Sequence, residues 1–306
     1  MFNFKIQKTM KKLLLMGMLL VAMMVQAQTK IAPKMDKGMK KVYDAESVIN
    51  VNGQKDVKLT SETTFTVKEA TAAGYVVEMI VTKVEGNSDN SDMTGRIMLL
   101  SEQMMTNLPM LVETDKDGKP LRVQNFESLK EKMSAYSDKL IDELLKEIPQ
   151  LTDMMSKETL KQQVMSSVTE ETLLKSVTES SNPMTLNGKT ITMGAQDEYV
   201  NNEGMKMKRM YFTGADGTIT VTANLNMSKD ELKQFIIGQV EKQMPDQAEM
   251  LKNNIDMLMG NLKFEDTEKA IYTLASDGWV KTIVAERSRE LMGQKMSTKV
   301  STTLKD

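Results

Sequence analysis

Five dipeptides of the kind that closes a tight β-hairpin are spread along the sequence, and they constrain the fold more than any other feature. They are Asn52-Gly53, Asp117-Gly118, Asn187-Gly188, Asp216-Gly217 and Asp277-Gly278. Asn-Gly and Asp-Gly accept the positive φ angles of a type I′ turn, and that turn joins neighbouring antiparallel strands. A parallel sheet needs long crossovers instead. The sequence therefore predicts an antiparallel meander.

The stretch 210–244 combines a hairpin turn, a strand and a helix in one unit. Apolar residues alternate there with threonine and asparagine, a period of two that places them on one face of a strand. These apolar residues are Ile219, Val221, Ala223, Leu225 and Met227. Ser228 and Glu231 then have the spacing of a capping box, and apolar residues follow at helical intervals, which predicts an amphipathic helix.

Composition divides the chain into a leader, a polar connecting segment and one α+β domain. Residues 1–27 have the features of a signal peptide, and residues 28–40 are polar and basic, so we interpret them as a flexible lead-in. The single domain at 41–306 has three parts, namely a β region at 41–124, a helical insertion at 125–180 and a β region with helices at 181–306.

The signal peptide is predicted from charge and hydropathy. Four lysines precede an unbroken apolar run from Leu13 to Val25, and small residues at Val25 and Ala27 place the cut after Ala27. An uncleaved anchor is the alternative, although the run is short for a bilayer span. Met10, followed by two lysines, is an alternative start. We expect an exported protein, periplasmic or secreted, with no transmembrane segment after cleavage.

Charge and cysteine content narrow the classes of partner. The formal net charge is −2, and cleavage removes four lysines and no acid, which leaves −6. Nucleic acid is not expected as a partner, because binding to phosphates needs a basic surface. The chain has no cysteine, so it has neither a disulfide nor a cysteine for a lipid anchor. We expect a soluble protein of the cell envelope.

The chain lacks the residue types on which most catalytic sites depend. The chain has no histidine and no cysteine, which removes the Ser-His-Asp triad, thiolate nucleophiles and nearly all imidazole metal sites. The run Asp115-Lys116-Asp117-Gly118 begins like a calcium loop, but Lys119 and Pro120 do not complete it. Hydrolysis by a pair of carboxylates remains chemically possible, although the 42 acidic residues single out no pair. We predict no enzyme, no catalytic residue, no metal and no cofactor.

Methionine is the one compositional anomaly, with 30 residues. Met205 and Met207 share a strand face near Met210, and thioethers are ligands of Cu(I). Packing is the alternative interpretation, since methionine fills irregular cores. A third interpretation is an adaptable apolar lining for a lipid or another irregular ligand.

Seven residues are the candidates for such a lining. Four lie on the strand of the 210–244 unit, two on its helix, and one after a later turn: Ile219, Val221, Leu225, Met227, Phe235, Ile236 and Trp279. We expect the strand face to be a cavity wall facing a helical lid. Trp279 is interpreted either as a cavity-mouth residue or as an aromatic at the edge of the core.

Two resemblances extend this interpretation. The signal peptide ending Val25-Gln26-Ala27-Gln28, the Asp115-x-Asp117-Gly118 turn before a helix and the Tyr272-Thr-Leu-x-x-Asp277-Gly278-Trp279 hairpin resemble uncharacterised secreted proteins of Bacteroides-type bacteria. The order of elements resembles periplasmic lipoprotein and lipid carriers. That resemblance implies an α+β fold with a curved antiparallel β-sheet, a half-barrel-like meander, covered by amphipathic helices.

Three functions remain open on these grounds. The first is a non-enzymatic envelope protein that binds a hydrophobic ligand, a lipid or a lipid-like molecule, between sheet and helices. The second is a structural or interaction module with a filled core and an envelope protein as partner. The third is a hydrolase that works with two carboxylates converging in one cleft.

Overall fold

A computed structural model describes most of the chain. The described residues are 28–53, 56–86, 99–147, 149, 156–201, 203–243, 245–260, 264–291 and 294–305. The predicted signal peptide at 1–27 lies outside them. Within these ranges the structure has no helix with both the length and the apolar character needed to cross a bilayer.

The elements follow each other as strands, then helices, then strands and helices again. The first strands are β1 (Thr29–Lys30), β2 (Lys40–Val51), β3 (Val57–Ala70), β4 (Gly74–Gly86), β5 (Met110–Asp115) and β6 (Pro120–Val123). The helices α1 (Phe126–Glu147), α2 (Lys157–Ser166) and α3 (Glu170–Val177) follow. The remaining elements are β7 (Thr190–Ile191), β8 (Gln196–Val200), β9 (Lys206–Thr213), β10 (Ile219–Leu225), α4 (Lys229–Gln243), α5 (Pro245–Gly260), β11 (Phe264–Leu274), β12 (Val280–Leu291) and β13 (Gln294–Leu304).

Eleven strands form one open, curved antiparallel sheet in the order β6-β5-β4-β3-β2-β13-β12-β11-β10-β9-β8. The N-terminal half, β2–β6, steps outward from the centre to one edge. The helices α1–α3 then lead to the opposite edge, and the C-terminal half, β8–β13, steps back until β13 pairs with β2. The predicted α+β class with a curved antiparallel sheet is confirmed.

The local predictions for turns and caps hold at most positions. Four of the five dipeptide turns join paired strands, and Asn187-Gly188 is the exception. It lies in an irregular segment, where the Gly188 N–H donates to the carbonyl of Ile31 at 2.8 Å. The capping box is confirmed, because the Ser228 N–H donates to Glu231 and the Glu231 N–H donates to the Ser228 hydroxyl.

One face of the sheet, called the inner face, carries the core. It is the face of the buried residues Tyr43, Phe65, Tyr272 and Ile283. In the N-terminal half, α1 and α3 pack against it. Together they form a first core cluster, whose strand and helix members include Tyr43, Phe65, Val77, Val112, Leu129, Met133, Leu173 and Val177. Burial of this apolar area is the main stabilising term for the half.

The C-terminal half has two smaller clusters. The second core cluster is covered by irregular segments and the short strand β7, and not by a helix. Ile31, Leu186 and Ile191 pack there with the strand residues Ile219, Val221, Tyr211, Ala270, Tyr272, Ile283 and Ala285. The third cluster joins the α4–α5 hairpin to the start of β11, through Leu232, Ile237, Ile255, Phe235, Ile236 and Phe264. Each half is therefore closed by different elements.

The segment 28–40 is packed, in contrast to the expected flexible lead-in. Ile31, Pro33 and Met35 are buried while the residues between them are exposed. Strand β1 pairs with β7, and the carbonyl of Lys34 accepts a hydrogen bond from the indole of Trp279 at 2.8 Å. The many polar residues of the segment obscured an alternation of buried and exposed positions, which is the pattern of a strand with one buried face.

Candidate functional site

The seven predicted lining residues do not meet around one space. Ile219 and Val221 are buried in the second core cluster, where Leu186 and Ile31 cover them. Their strand face is thus already filled by protein. The α4 helix, which was expected to face it, packs elsewhere.

The other five candidates lie in separate places. Phe235 and Ile236 pack in the third cluster on the α4–α5 hairpin. Trp279 is 1% exposed and belongs to the first cluster, next to Phe65. Leu225 and Met227, at the end of β10, are half-buried.

The incompletely covered part of the inner face is the centre of the sheet, a region that we call the central strip. It consists of half-buried residues on β2, β3, β4 and β13, namely Ser47, Ile49, Ser61, Val84, Thr298 and Val300. Ile49, Val84 and Val300 belong to none of the three clusters of the described residues. None of these six side chains is fully buried, although Val57 and Leu59, opposite Ile49 and Ser47 on β3, are.

A crossing segment, residues 178–189, bounds the central strip on one side. The Tyr272 hydroxyl donates to the carbonyl of Ser180 at 2.8 Å, and the Thr302 hydroxyl donates to that of Ser181 at 3.2 Å. These bonds fix the segment across β11 and β13. Thr302 lies one inner-face position after Val300, so the segment crosses the sheet at the end of the central strip.

The carboxyl of Glu179, in the crossing segment, has a perturbed proton affinity. Burial raises its pKa to about 7, with a further contribution from the charge of Glu268. Glu102, Glu203 and Arg287 also act on it. Glu179 nevertheless remains solvent-exposed. The Glu268 carboxyl that acts on it comes from the inner face of β11, opposite Arg287, so Glu179 lies near that face.

Glu102 shows the same combination. Glu102 as a whole is exposed, while burial raises the pKa of its carboxyl. It lies on the helical segment at 99–103, next to Leu99, whose side chain meets the backbone of Gly86 on β4. The central strip and the carboxyls of Glu102 and Glu179 together define what we call the inner recess.

A cluster of ion pairs lies beside the inner recess. Asp266 on β11 has a fully buried side chain, and it accepts hydrogen bonds from both Arg287 and Arg289 on β12 at 2.7–3.2 Å. Glu203, in the β8–β9 turn, bonds the same two guanidinium groups. Burial alone would raise the pKa of Asp266, but the bonds from the arginines outweigh it and keep the pKa below its ordinary value.

A second polar group continues this belt toward the edge strand. Arg209 stacks on the ring of Tyr199 at 3.9 Å and bonds Asp197 at 2.8 Å. Asp197 also accepts from the Tyr211 hydroxyl at 2.7 Å. Burial, with the charge of Arg209, lowers the pKa of Lys189 to about 8. The inner face of the C-terminal half is therefore charged where the N-terminal half is apolar.

The methionine cluster does not assemble as a metal site. Met207 lies on the inner face opposite Leu225, whereas Met210 is opposite Thr222 and so on the other face. Met205 and Met207 are buried, as packing residues are. Within the described residues, no group of three or more carboxylates is arranged to hold a metal ion.

An open groove of about 530 Å³ lies between α1 and α2, away from the inner recess. Its lining is mostly charged or polar: Glu127, Lys130, Glu131, Ser134, Glu158, Lys161, Gln162 and Met165. Such a lining does not suit an apolar ligand.

Comparisons with known proteins identify no family and find only weak structural similarities. No protein-family model matches the chain, and no curated protein sequence matches it. A solved structure entitled "lipid-protein interactions in lipovitellin" is similar at 10% identity, with a TM-score of 0.40. The match covers 89% of this chain and 26% of that one, so the chain spans about a quarter of the lipovitellin chain.

A porin-like protein from Bacteroides uniformis is similar at 9% identity and a TM-score of 0.20, over 90% of this chain and 99% of that one. At these TM-scores neither similarity bears on function. The resemblance to secreted Bacteroides-type proteins has no matching family model behind it.

Proposed function

We propose that this protein is a non-enzymatic component of the cell envelope that binds a hydrophobic ligand, a lipid or a lipid-like molecule, between the sheet and the elements covering it. The observation that carries the proposal is the central strip. Its apolar side chains are half-buried and outside all three core clusters, on the face of the sheet that elsewhere forms the core. Apolar surface that the protein leaves incompletely covered is stabilised by an apolar ligand.

The position of the proposed site differs from the one expected from sequence. Ile219 and Val221 are covered by the crossing segment and by Ile31, whereas Ser47 and Val300, directly opposite each other on β2 and β13, are only half-buried. The ligand would lie on the seam where the two halves of the sheet join. Export to the periplasm or the exterior remains part of the proposal and rests on the predicted signal peptide.

The test is a substitution that fills the recess. Ser47→Phe adds a ring on the inner face, and Val48→Phe adds the same ring on the opposite face of the same strand. We expect Ser47→Phe to weaken binding of a neutral fluorescent apolar probe by about tenfold or more, and Val48→Phe to leave it unchanged. Circular dichroism checks the fold, and Thr298→Phe on β13 is the second filling variant.

Two results would reject the proposal. One is the absence of probe binding by the wild-type protein, together with no lipid in organic extracts of protein purified from its native host. The other is equal binding by the inner-face and outer-face variants. Either result would favour the alternative, a structural or interaction module with a protein partner.

A second candidate function, carboxylate-pair hydrolysis, is favoured by one observation. Glu179 and Glu268 are close enough to influence each other, and the pKa of Glu179 is about 7, as in a general acid beside an ionised carboxylate. Hydrolysis of nitrophenyl glycosides or esters, lost in Glu179→Gln, would support it. No turnover between pH 5 and 8 would reject it.

A further inference from the structure

The ion-pair cluster beside the inner recess has an arrangement suited to ligand recognition. Arg287 and Arg289 are alternate residues of β12, so both side chains point to the inner face. Their backbone partners on β13 are Thr298 and Met296, and the partners of those residues on β2 are Ile49 and Val51. The Cα atoms of the two arginines are therefore about two strand spacings, roughly 10 Å, from those of Ile49 and Val51 on β2.

The two acidic partners of the arginines are not equivalent. Asp266 has a side-chain exposure of 0%, lies on the central part of the sheet and accepts hydrogen bonds from both arginines. Glu203 has a side-chain exposure of 42% and lies in a turn. One partner is built into the sheet, and the other comes from the periphery.

Charge balance follows from this difference. Arg287 and Arg289 are half-buried, and their positive charges are stabilised by negative charges close by. Asp266 provides one permanently, and Glu203 provides the other by a two-pronged contact with Arg289 and a bond to Arg287 at 3.0 Å. A carboxylate with the same geometry could take the place of Glu203 with the same charge, and a phosphate could do so with an equal or larger negative charge, because arginine binds both in a bidentate manner.

We propose that Arg287 and Arg289 form the head-group site for an anionic amphiphile, a molecule with an apolar chain and a carboxylate or phosphate head, and that Glu203 occupies this site until the ligand displaces it. This inference rests on the proposed function, since the apolar chain would lie along the central strip. The carboxyls of Glu102, Glu179 and Glu268 face the same region. They repel an anionic ligand, so the head group has to compete with them for the two arginines.

The position of Glu203 also links the site to the helical hairpin. The side-chain amide of Gln239 on α4 donates to the carbonyl of Glu203 at 3.4 Å, and the ring of Phe235 lies against Gly204. Displacement of the Glu203 side chain thus takes place beside the contact between the β8–β9 turn and α4.

The test compares amphiphiles that share one apolar chain. Dodecyl phosphate, dodecanoate, neutral dodecyl maltoside and dodecyltrimethylammonium are used below their micelle concentrations to displace N-phenyl-1-naphthylamine, a neutral fluorescent probe. We expect the wild-type protein to prefer both anions over the neutral and cationic compounds by about tenfold. Inorganic phosphate alone should not displace the probe.

The decisive variant is Glu203→Gln, which removes the competing carboxylate at an exposed position. We expect it to tighten binding of dodecyl phosphate by about tenfold and to leave dodecyl maltoside unchanged. The control is Glu286→Gln, which removes the same charge from the opposite face of β12, where Glu286 pairs with Lys299. Arg289→Gln should abolish the preference for anions.

The outcomes separate the two proposals. Probe binding with no effect of Glu203→Gln on the anions overturns the head-group site and leaves the proposed function intact. Competition by inorganic phosphate as strong as that of dodecyl phosphate shows a site for a free anion and also overturns it. A wild-type protein that binds neither probe nor amphiphile overturns both.

Discussion

The two halves of the sheet use the same strand geometry and fill it differently. In the N-terminal half, the inner face carries Tyr43, Phe65 and Val77, and α1 and α3 cover it with apolar side chains. In the C-terminal half, the inner face of β11 and β12 carries Asp266 and Arg287 between two apolar clusters. The first arrangement stabilises the fold by burying apolar surface. The second contributes little net stability, because desolvation offsets most of the attraction between buried charges.

This difference separates two roles within one domain. A half that is stabilised by buried apolar surface needs no ligand or counter-charge to keep the sheet folded. A half that contains paired charges has groups that can exchange partners, which is what recognition of a charged ligand requires. The central strip lies between them.

The largest effect is expected at Trp279, an aromatic residue that joins the two halves. Trp279 follows the β11–β12 turn but packs with Phe65 in the first cluster, at a centroid distance of 6.2 Å. Trp279→Ala should lower the free energy of unfolding by about 4 kcal/mol, through lost contacts and a cavity. Urea denaturation measures it, with the outer-face change Val284→Ala as the control. A loss below about 1 kcal/mol would show that the halves are stabilised independently.

The next effect tests the buried charges of the C-terminal half. Asp266→Asn keeps the shape of the side chain but leaves both arginines without their buried counter-charge, and should cost about 3 kcal/mol. Asp44→Asn, on the exposed side of β2 near Lys305, should cost less than about 0.5 kcal/mol. If the two variants are equally stable in denaturant titrations, the arginine cluster is not desolvated.

A smaller effect is expected for a single hydrogen bond across the seam. The Tyr43 hydroxyl on β2 donates to the carbonyl of Val280 on β12 at 2.7 Å, and both residues are buried. Tyr43→Phe should lower the free energy of unfolding by about 1 kcal/mol, because one buried carbonyl loses its hydrogen-bond donor. Calorimetry can compare it with Tyr136→Phe, an exposed tyrosine whose change should be neutral. A neutral Tyr43→Phe would contradict the bond.

The last prediction concerns the dependence of stability on pH. The pKa of Glu179 is raised to about 7 in the folded protein, so between about pH 4.5 and 7 the folded state holds a proton that the unfolded chain has lost. Stability should fall across this window as pH rises, and Glu179→Gln should remove that part of the fall. Denaturation at pH 4.5 and pH 8 measures the difference between variant and wild type.

Glu171 on α3 is the matched control, with the opposite sign. The hydrogen bond from Lys175 lowers its pKa, so its contribution is present at neutral pH and is lost as pH falls through the folded-state pKa. Glu171→Gln should therefore be relatively less stable at the higher pH. The same sign for both variants would contradict the recess around Glu179.

Features that depend on neighbouring residues were predictable from the sequence. The turns at Asp216-Gly217 and Asp277-Gly278 and the capping box at Ser228 depend on local backbone preferences, and the structure has them where the residues indicate. The burial of Ile31 and Met35 had a local signal too, an alternation that the many lysines obscured.

The site itself depends on how the strands are paired and aligned, which cannot be read from the sequence. Arg287 and Arg289 continue the alternation of Ile283 and Ala285, so charged residues on an apolar face were a visible signal on β12. Their partners Asp266 and Glu203 come from another strand and a distant turn. Likewise, nothing local showed that Leu186 would cover Ile219, because that contact follows from the path of the crossing segment.

The pairing of β2 with β13 has a consequence for the order in which the molecule is made. Nearly every other pairing in the large sheet joins strands that are close in sequence, whereas this one joins residues such as Ser47 and Val300. Closing so long a loop is slow, and here it also needs the last strand to be synthesised. Each hairpin stack can form early, but the sheet cannot become continuous until β13 has been made. The seam where we place the ligand is thus the last part of the sheet to exist.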